Sequence, residues 1–143
     1  MGESKKHVEL VQRLVKYVEG LVPDDTEKMI VSDGFDSLLN KSLPPIIGGF
    51  RPDLYYEYND TLVIGEAKTE NDYDTEHSIN QYVEYLKSCE CYPGKSKFIL
   101  IISWESCSSA KMLLQQISKK NNFTVDFEVI DELTGYNDGK SED

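Results

Sequence analysis

The stretch "RPDLYYEYNDTLVIGEAKT", Arg51 to Thr69, decides how this chain folds. Two β-rich runs, Leu54–Tyr58 and Thr61–Ala67, flank Asn59-Asp60, a two-residue hairpin signal that is weaker than Asn-Gly. With Asn59 and Asp60 as the turn, Tyr58 pairs with Thr61. Counting back along both strands then sets Asp53 directly across from Glu66. Opposed residues share a face, with Cβ atoms about 4.5–5.5 Å apart. Lys68, two residues beyond Glu66, shares that face too. Two carboxylates and one ammonium thus converge at one end of a hairpin. A slip of one residue would put Asp53 and Glu66 on opposite faces.

Outward from the hairpin, the spacing predicts a helix over Lys6–Val22. Val8, Val11, Leu14, Val15, Val18 and Leu21 recur at helical intervals, Gln12, Arg13 and Lys16 stay outside, and Pro23 follows the end. Lys28–Ser32 reads as a short strand. Asp33–Gly49, with Gly34, Pro44, Pro45, Gly48 and Gly49, reads mostly as loop, and Asp33 and Asp36 read as turn residues. Thr75–Cys89 is a predicted helix capped by Asp74 or Thr75, with Ile79, Val83 and Leu86 as its core stripe. Pro93-Gly94 turns the chain within Tyr92–Ser96. Lys97–Ser103 is nearly all apolar, as a strand covered on both faces should be. Ser108–Lys120 reads as a helix and Thr124–Ile130 as a last strand towards an edge. The economical fold is α/β (α+β): a central mixed sheet flanked by helices.

At 143 residues the chain suits one domain, expected over 1–136, with an acidic, frayed tail from Asn137 to Asp143. The longest apolar run, Phe98–Ile102, is too short to cross a bilayer, and no apolar signal segment follows the first six residues. A cytoplasmic protein that does not engage a membrane is expected. Cys89, Cys91 and Cys107 are odd in number and Cys-x-Cys is not a usual zinc pair, so reduced thiols are expected and a structural zinc site is not. Cys107 has no nearby His to form a catalytic pair. The net charge of −11 excludes a protein that simply coats nucleic acid, which needs a basic footprint.

Asp, Glu and Lys at a strand end can be no more than a solvated rim with a weak ion pair. Here Glu66 lies among Val63, Ile64, Gly65 and Ala67, a segment that reads as core. Gly65 and Ala67 leave the backbone open to a close approach. Buried like charges are costly unless a cation or protonation relieves them. A divalent metal relieves both, and oxygen ligands favour Mg²⁺ or Mn²⁺. A cation held by Asp53, Glu66 and the Ala67 carbonyl could polarise a phosphodiester and acidify a bound water. Lys68 could orient or deprotonate that water, or neutralise charge on the phosphorane.

"RPD" at Arg51–Asp53 followed by "EAK" at Glu66–Lys68 resembles the PD-(D/E)XK nuclease superfamily. It includes restriction endonucleases, Holliday-junction resolvases and recombination exonucleases. The resemblance runs from the first helix to about Ser103. It implies a restriction-endonuclease-like αβββαβ core and a Mg²⁺- or Mn²⁺-dependent nuclease, with Asp53, Glu66 and Lys68 as catalytic residues and nucleic acid, above all DNA, as partner. Gln81 and Tyr85, at i and i+4 of one helix face, resemble the Gln-x-x-x-Tyr pair with which the exonuclease branch binds its substrate strand; an ordinary half-exposed Tyr is the plain alternative. On the first helix the family carries a metal-directed Glu or His. Glu9 in "HVELVQRL" resembles the resolvase form, and His7 and Glu19 compete with it.

Three functions stay open: the metal-dependent nuclease, a non-catalytic interaction or regulatory module on the same fold, and a structural α/β domain. The acidic balance favours the second, and the intact Asp/Glu/Lys set favours the first. Lys5, Lys6, Arg13, Lys16, Lys41, Arg51 and Lys95 could form a local basic patch, and a homodimer or a protein partner could supply more. Trp104 could stack a base or simply pack.

Overall fold

The structure is a computed structural model that describes residues 4–32 and 43–134. Its element order is α1 (Lys5–Leu21), β1 (Met29–Val31), β2 (Leu54–Tyr58), β3 (Thr61–Ala67), α2 (Glu76–Cys91), β4 (Lys95–Ile102), α3 (Cys107–Asn121) and β5 (Asp126–Asp131). The strands form one five-stranded mixed sheet in the order β1-β2-β3-β4-β5. The first three run antiparallel, while β4 and β5 add on parallel to β3. The expected mixed sheet with flanking helices is present. Asp33, Asp36 and Lys41 of the expected loop, and the tail 137–143, lie outside the described residues.

Period-2 alternation sends the strand side chains into two cores. Leu54, Tyr56, Val63, Ala67, Ile99 and Ile101 face α1, whose stripe Leu10, Val11, Leu14, Val15 and Val18 is buried on them. Leu62, Ile64, Phe98, Leu100 and Ile102 face the other way, against α2 and α3. The central strand β4 is therefore covered on both faces, which is why "FILII" is unbroken. Gly65 belongs to the α1 side. A Cβ there would lie 3.0 Å from Leu14 Cδ2 and 3.3 Å from Leu54 Cβ, so the close approach that this glycine admits is that of Leu14.

The α2 stripe corrects the expectation. Its buried residues are Ser78, Gln81, Tyr82, Tyr85, Leu86 and Cys89, whereas Ile79 and Val83 are only partly buried. Two tyrosines and a glutamine take the core-facing positions because Phe98 packs against both rings and the sheet end supplies Gln81 with a partner. Near the start of the hairpin, Gly48 and Gly49 adopt φ of +59° and +92°. They close a tight turn in which Ile47 and Phe50 exchange backbone hydrogen bonds. Among the described residues, no helix is long and apolar enough to cross a membrane.

Candidate active site

The hairpin is built from its turn. Asn59 and Asp60 adopt φ of 57° and 63°, the left-handed pair that a two-residue I′ turn requires and that Asn and Asp tolerate. That turn pairs Tyr58 with Thr61 and carries the register back to Leu54 opposite Gly65. One residue further the side chains take over from the backbone ladder. The Asp53 N–H donates to Glu66 Oε1 at 3.2 Å, and the Ala67 N–H donates to Asp53 Oδ2 at 2.9 Å. The Asp53 carbonyl accepts from the Ser32 N–H at 2.9 Å, which ties the same point to the chain leaving β1.

Each acid thus spends one oxygen on the opposite strand. The other oxygen of each meets a nitrogen: Asp53 Oδ1 lies 3.4 Å from His7 Nε2, and Glu66 Oε2 lies 3.7 Å from the Lys68 ammonium Nζ. Lys68 Nζ also donates to Gln81 Oε1 at 2.5 Å. Asp53, Glu66 and Lys68 are 7%, 4% and 8% exposed, so these are buried charges and not a solvated rim. Burial first, and then Asp53, push the Glu66 carboxyl well above the ordinary glutamate range, while Lys68 and the Asp53 N–H oppose the shift.

Gln81 reaches Lys68 because the start of α2 is pinned. Thr75 caps the helix by accepting from the Ser78 N–H. Ser78 Oγ donates to the Asp72 carbonyl, Tyr82 Oη to the Tyr73 carbonyl, and the Thr69 N–H to Asp72 Oδ1. The segment between Lys68 and the helix is thereby held on both sides. Tyr85 is wholly buried, and its hydroxyl makes no hydrogen bond of normal geometry. Burial first, and then the charges of Glu66 and Asp53, raise its pKa, while Gln81 opposes the shift.

The first helix brings His7 to Asp53, whereas Glu9 and Glu19 lie exposed. The residue expected on this helix, Glu9, is not the one that reaches Asp53. His7 lies on the apolar phase of α1, and that phase faces the sheet. Signal for it existed in the helical spacing. No local signal marked Tyr82, which fills the space between Phe98 and the loop before α2. Of the cations considered for a basic patch, Lys5 and Lys6 stand exposed immediately before His7, and Arg51 donates to the Pro44 carbonyl. Lys95 sits at the far end of the sheet, opposite Thr61. The cysteines are free thiols, and burial pushes Cys89 up to about 12 and raises Cys107, so neither is an activated nucleophile.

Comparison of the chain with protein-family models, with curated proteins and with solved structures gives no match.

Among the described residues, no three His, Cys, Asp or Glu side chains form a cage for a metal ion. Two carboxylates fit a hard, hydrated cation all the same. Mg²⁺ keeps several waters and is commonly held by one or two carboxylates plus substrate phosphates, without an all-protein cage. The donors would be Asp53 Oδ1 and Glu66 Oε2, the two oxygens that the opposite strand's backbone leaves free, beside His7 and Lys68. The pair stands off the carboxyl end of β3, where the sheet changes from antiparallel to parallel pairing. Open α/β sheets bind ligands beyond the carboxyl ends of their strands.

Proposed function

We propose that this chain is a metal-dependent phosphodiesterase of the PD-(D/E)XK type acting on nucleic acid, DNA above all. The observation that carries the reading is the contact set Asp53–Glu66–Lys68–Gln81, buried at one sheet end. The element order α1, β1, β2, β3, α2, β4 is the order that a restriction-endonuclease-like core calls for, and it supports the reading.

When bound, Mg²⁺ or Mn²⁺ supplies Lewis acidity, polarising the phosphodiester and acidifying a water. Asp53 and Glu66 would hold it, with the Ala67 carbonyl as the third protein oxygen. Lys68 carries three N–H donors. One goes to Gln81 and one faces Glu66, which leaves one for a water or for a phosphate oxygen as negative charge builds on it. Gln81 acts as a positioning residue, since it fixes where that remaining donor points. Tyr85, one turn after Gln81 on α2, is wholly buried against Phe98, and its part would be to hold Gln81's turn of the helix on the sheet.

A second reading, a non-catalytic module on the same fold, is favoured by the net charge of −11. One experiment separates them: labelled single-stranded and duplex DNA incubated with the purified chain in Mg²⁺, in Mn²⁺ and in chelator. Metal-dependent cleavage by wild type that is lost in both Asp53→Asn and Lys68→Ala is the expected result. Intact DNA under every condition, from a chain that is folded and binds DNA, sinks the nuclease reading.

A further inference from the structure

Trp104 is the chain's single tryptophan. It opens the 3-10 turn Trp104–Ser106 that follows β4. Ala67 pairs with Ile101 on β4, and Trp104 comes three residues later, so its backbone lies at the same end of the sheet as Glu66 and Lys68. Its backbone is tethered. The Trp104 N–H donates to Glu132 Oε1 at 2.9 Å, and Ser103 Oγ donates to Glu70 Oε1 at 3.1 Å. Glu132 in turn meets Lys6 at 4.0 Å, next to His7 on Asp53. A chain of polar contacts thus runs from the Trp104 backbone through Glu132 to Lys6, the residue before His7 on α1.

The ring itself is left in water: Trp104 is 57% exposed. A bulky, exposed aromatic on a tethered backbone at the same sheet end as a buried polar cluster is available to meet a ligand. The surrounding charge says which part of the ligand. Glu70, Glu132 and a net charge of −11 give little to a phosphate track. Stacking of a base on an aromatic ring needs no phosphate contact. Bases inside an intact duplex are already stacked on their neighbours and cannot offer a face.

We infer that Trp104 is a stacking platform for an unpaired base of the strand whose phosphodiester lies at Asp53, Glu66 and Lys68, which makes single-stranded or end-frayed nucleic acid the substrate class. The inference rests on the proposed function.

Because Trp104 is the only indole, intrinsic fluorescence reports on this residue alone. The test titrates the full chain with a single-stranded oligothymidylate of about ten residues, within the usual site size of stacking proteins, in Ca²⁺ with the strand checked for intactness. Saturable quenching is expected with this strand, and not with an abasic strand of equal length or with the corresponding duplex. Anisotropy of the labelled strand should show binding to Trp104→Ala weakened about fivefold or more, the effect of one lost stacked base, and largely kept in Trp104→Phe. Unchanged fluorescence at saturation, equal quenching by the abasic strand, or unaltered affinity in Trp104→Ala overturns the inference. So does a spectral change that appears on concentrating the protein alone, which would mean that a second copy covers the ring. The two readings fail separately. Quenching without any Mg²⁺- or Mn²⁺-dependent cleavage removes the nuclease and leaves the stacking platform. Cleavage with Trp104→Ala binding like wild type does the reverse.

Discussion

Asp53 and Glu66 each close a hydrogen bond on the other's strand, the Asp53 N–H on Glu66 Oε1 and the Ala67 N–H on Asp53 Oδ2, so the acid pair is the last rung of the hairpin. Like charges are held together by the backbone that they terminate. Lys68 offsets part of the repulsion, and His7 stands against the free oxygen of Asp53. The site is thereby arranged before any ligand arrives, and its charges are set against the stability of the fold.

The first prediction concerns Asp53→Asn. An amide oxygen can still accept from the Ala67 N–H, while one negative charge next to Glu66 is gone. The variant should be at least as stable as metal-free wild type, and it should not cleave DNA. Wild type should gain about 1.4 kcal/mol when free Mn²⁺ is roughly ten times Kd, which raises Tm by about 5 °C. Paired thermal melts with and without Mn²⁺ check this. Equal shifts in wild type and variant would place the metal elsewhere.

The second concerns Glu66 and pH. Its folded-state pKa is raised by burial and by Asp53. Between the unfolded value and the folded one the native state therefore binds more protons than the unfolded state, and stability falls as pH rises through that window. Each unit of separation is worth about 1.4 kcal/mol. Glu66→Gln imitates the protonated acid, so it should exceed wild type in stability above the folded pKa and converge with it towards acid. Urea melts of both proteins from acidic to mildly alkaline pH give the difference curve. A difference that does not change with pH would refute the raised pKa.

Tyr85→Phe is the third. The buried hydroxyl makes no hydrogen bond of normal geometry, and an unsatisfied buried polar group costs about 1–3 kcal/mol. Removing it should leave stability unchanged or raise it. If cleavage nevertheless slows, the hydroxyl meets the substrate. A loss of more than about 1 kcal/mol in urea denaturation would show that it is bonded in solution.

The fourth tests what sets the end of β3. Gly65→Ala puts a methyl 3.0 Å from Leu14 Cδ2, in a core where extra volume typically costs about 1–3 kcal/mol. Chemical denaturation should show that loss. The double variant Gly65→Ala, Leu14→Val, which makes room, should recover part of it. No recovery would mean that the strain is in the strand and not in the contact with α1.

By itself, the sequence determined the hairpin and with it the acid pair. Asn59-Asp60 specifies a two-residue turn, the turn specifies the register, and strand alternation then puts Asp53, Glu66 and Lys68 on one face; every step is local. Helix and strand positions were legible for the same reason, to within a residue or two at most ends. Tertiary structure decided what depends on distant partners. Helical spacing groups the residues of α2 into stripes, but only packing against Phe98 and Lys68 selects the stripe of Gln81, Tyr82 and Tyr85 over that of Ile79 and Val83. The choice of His7 over Glu9 follows from the side of α1 that docks on the sheet and from how far its first turn overhangs Asp53. Trp104 stays in water because its place in the fold gives the ring too little cover, a fact that no neighbouring residue in the chain encodes. Periodicity is a property of the segment, whereas burial and charge pairing belong to whatever the segment meets.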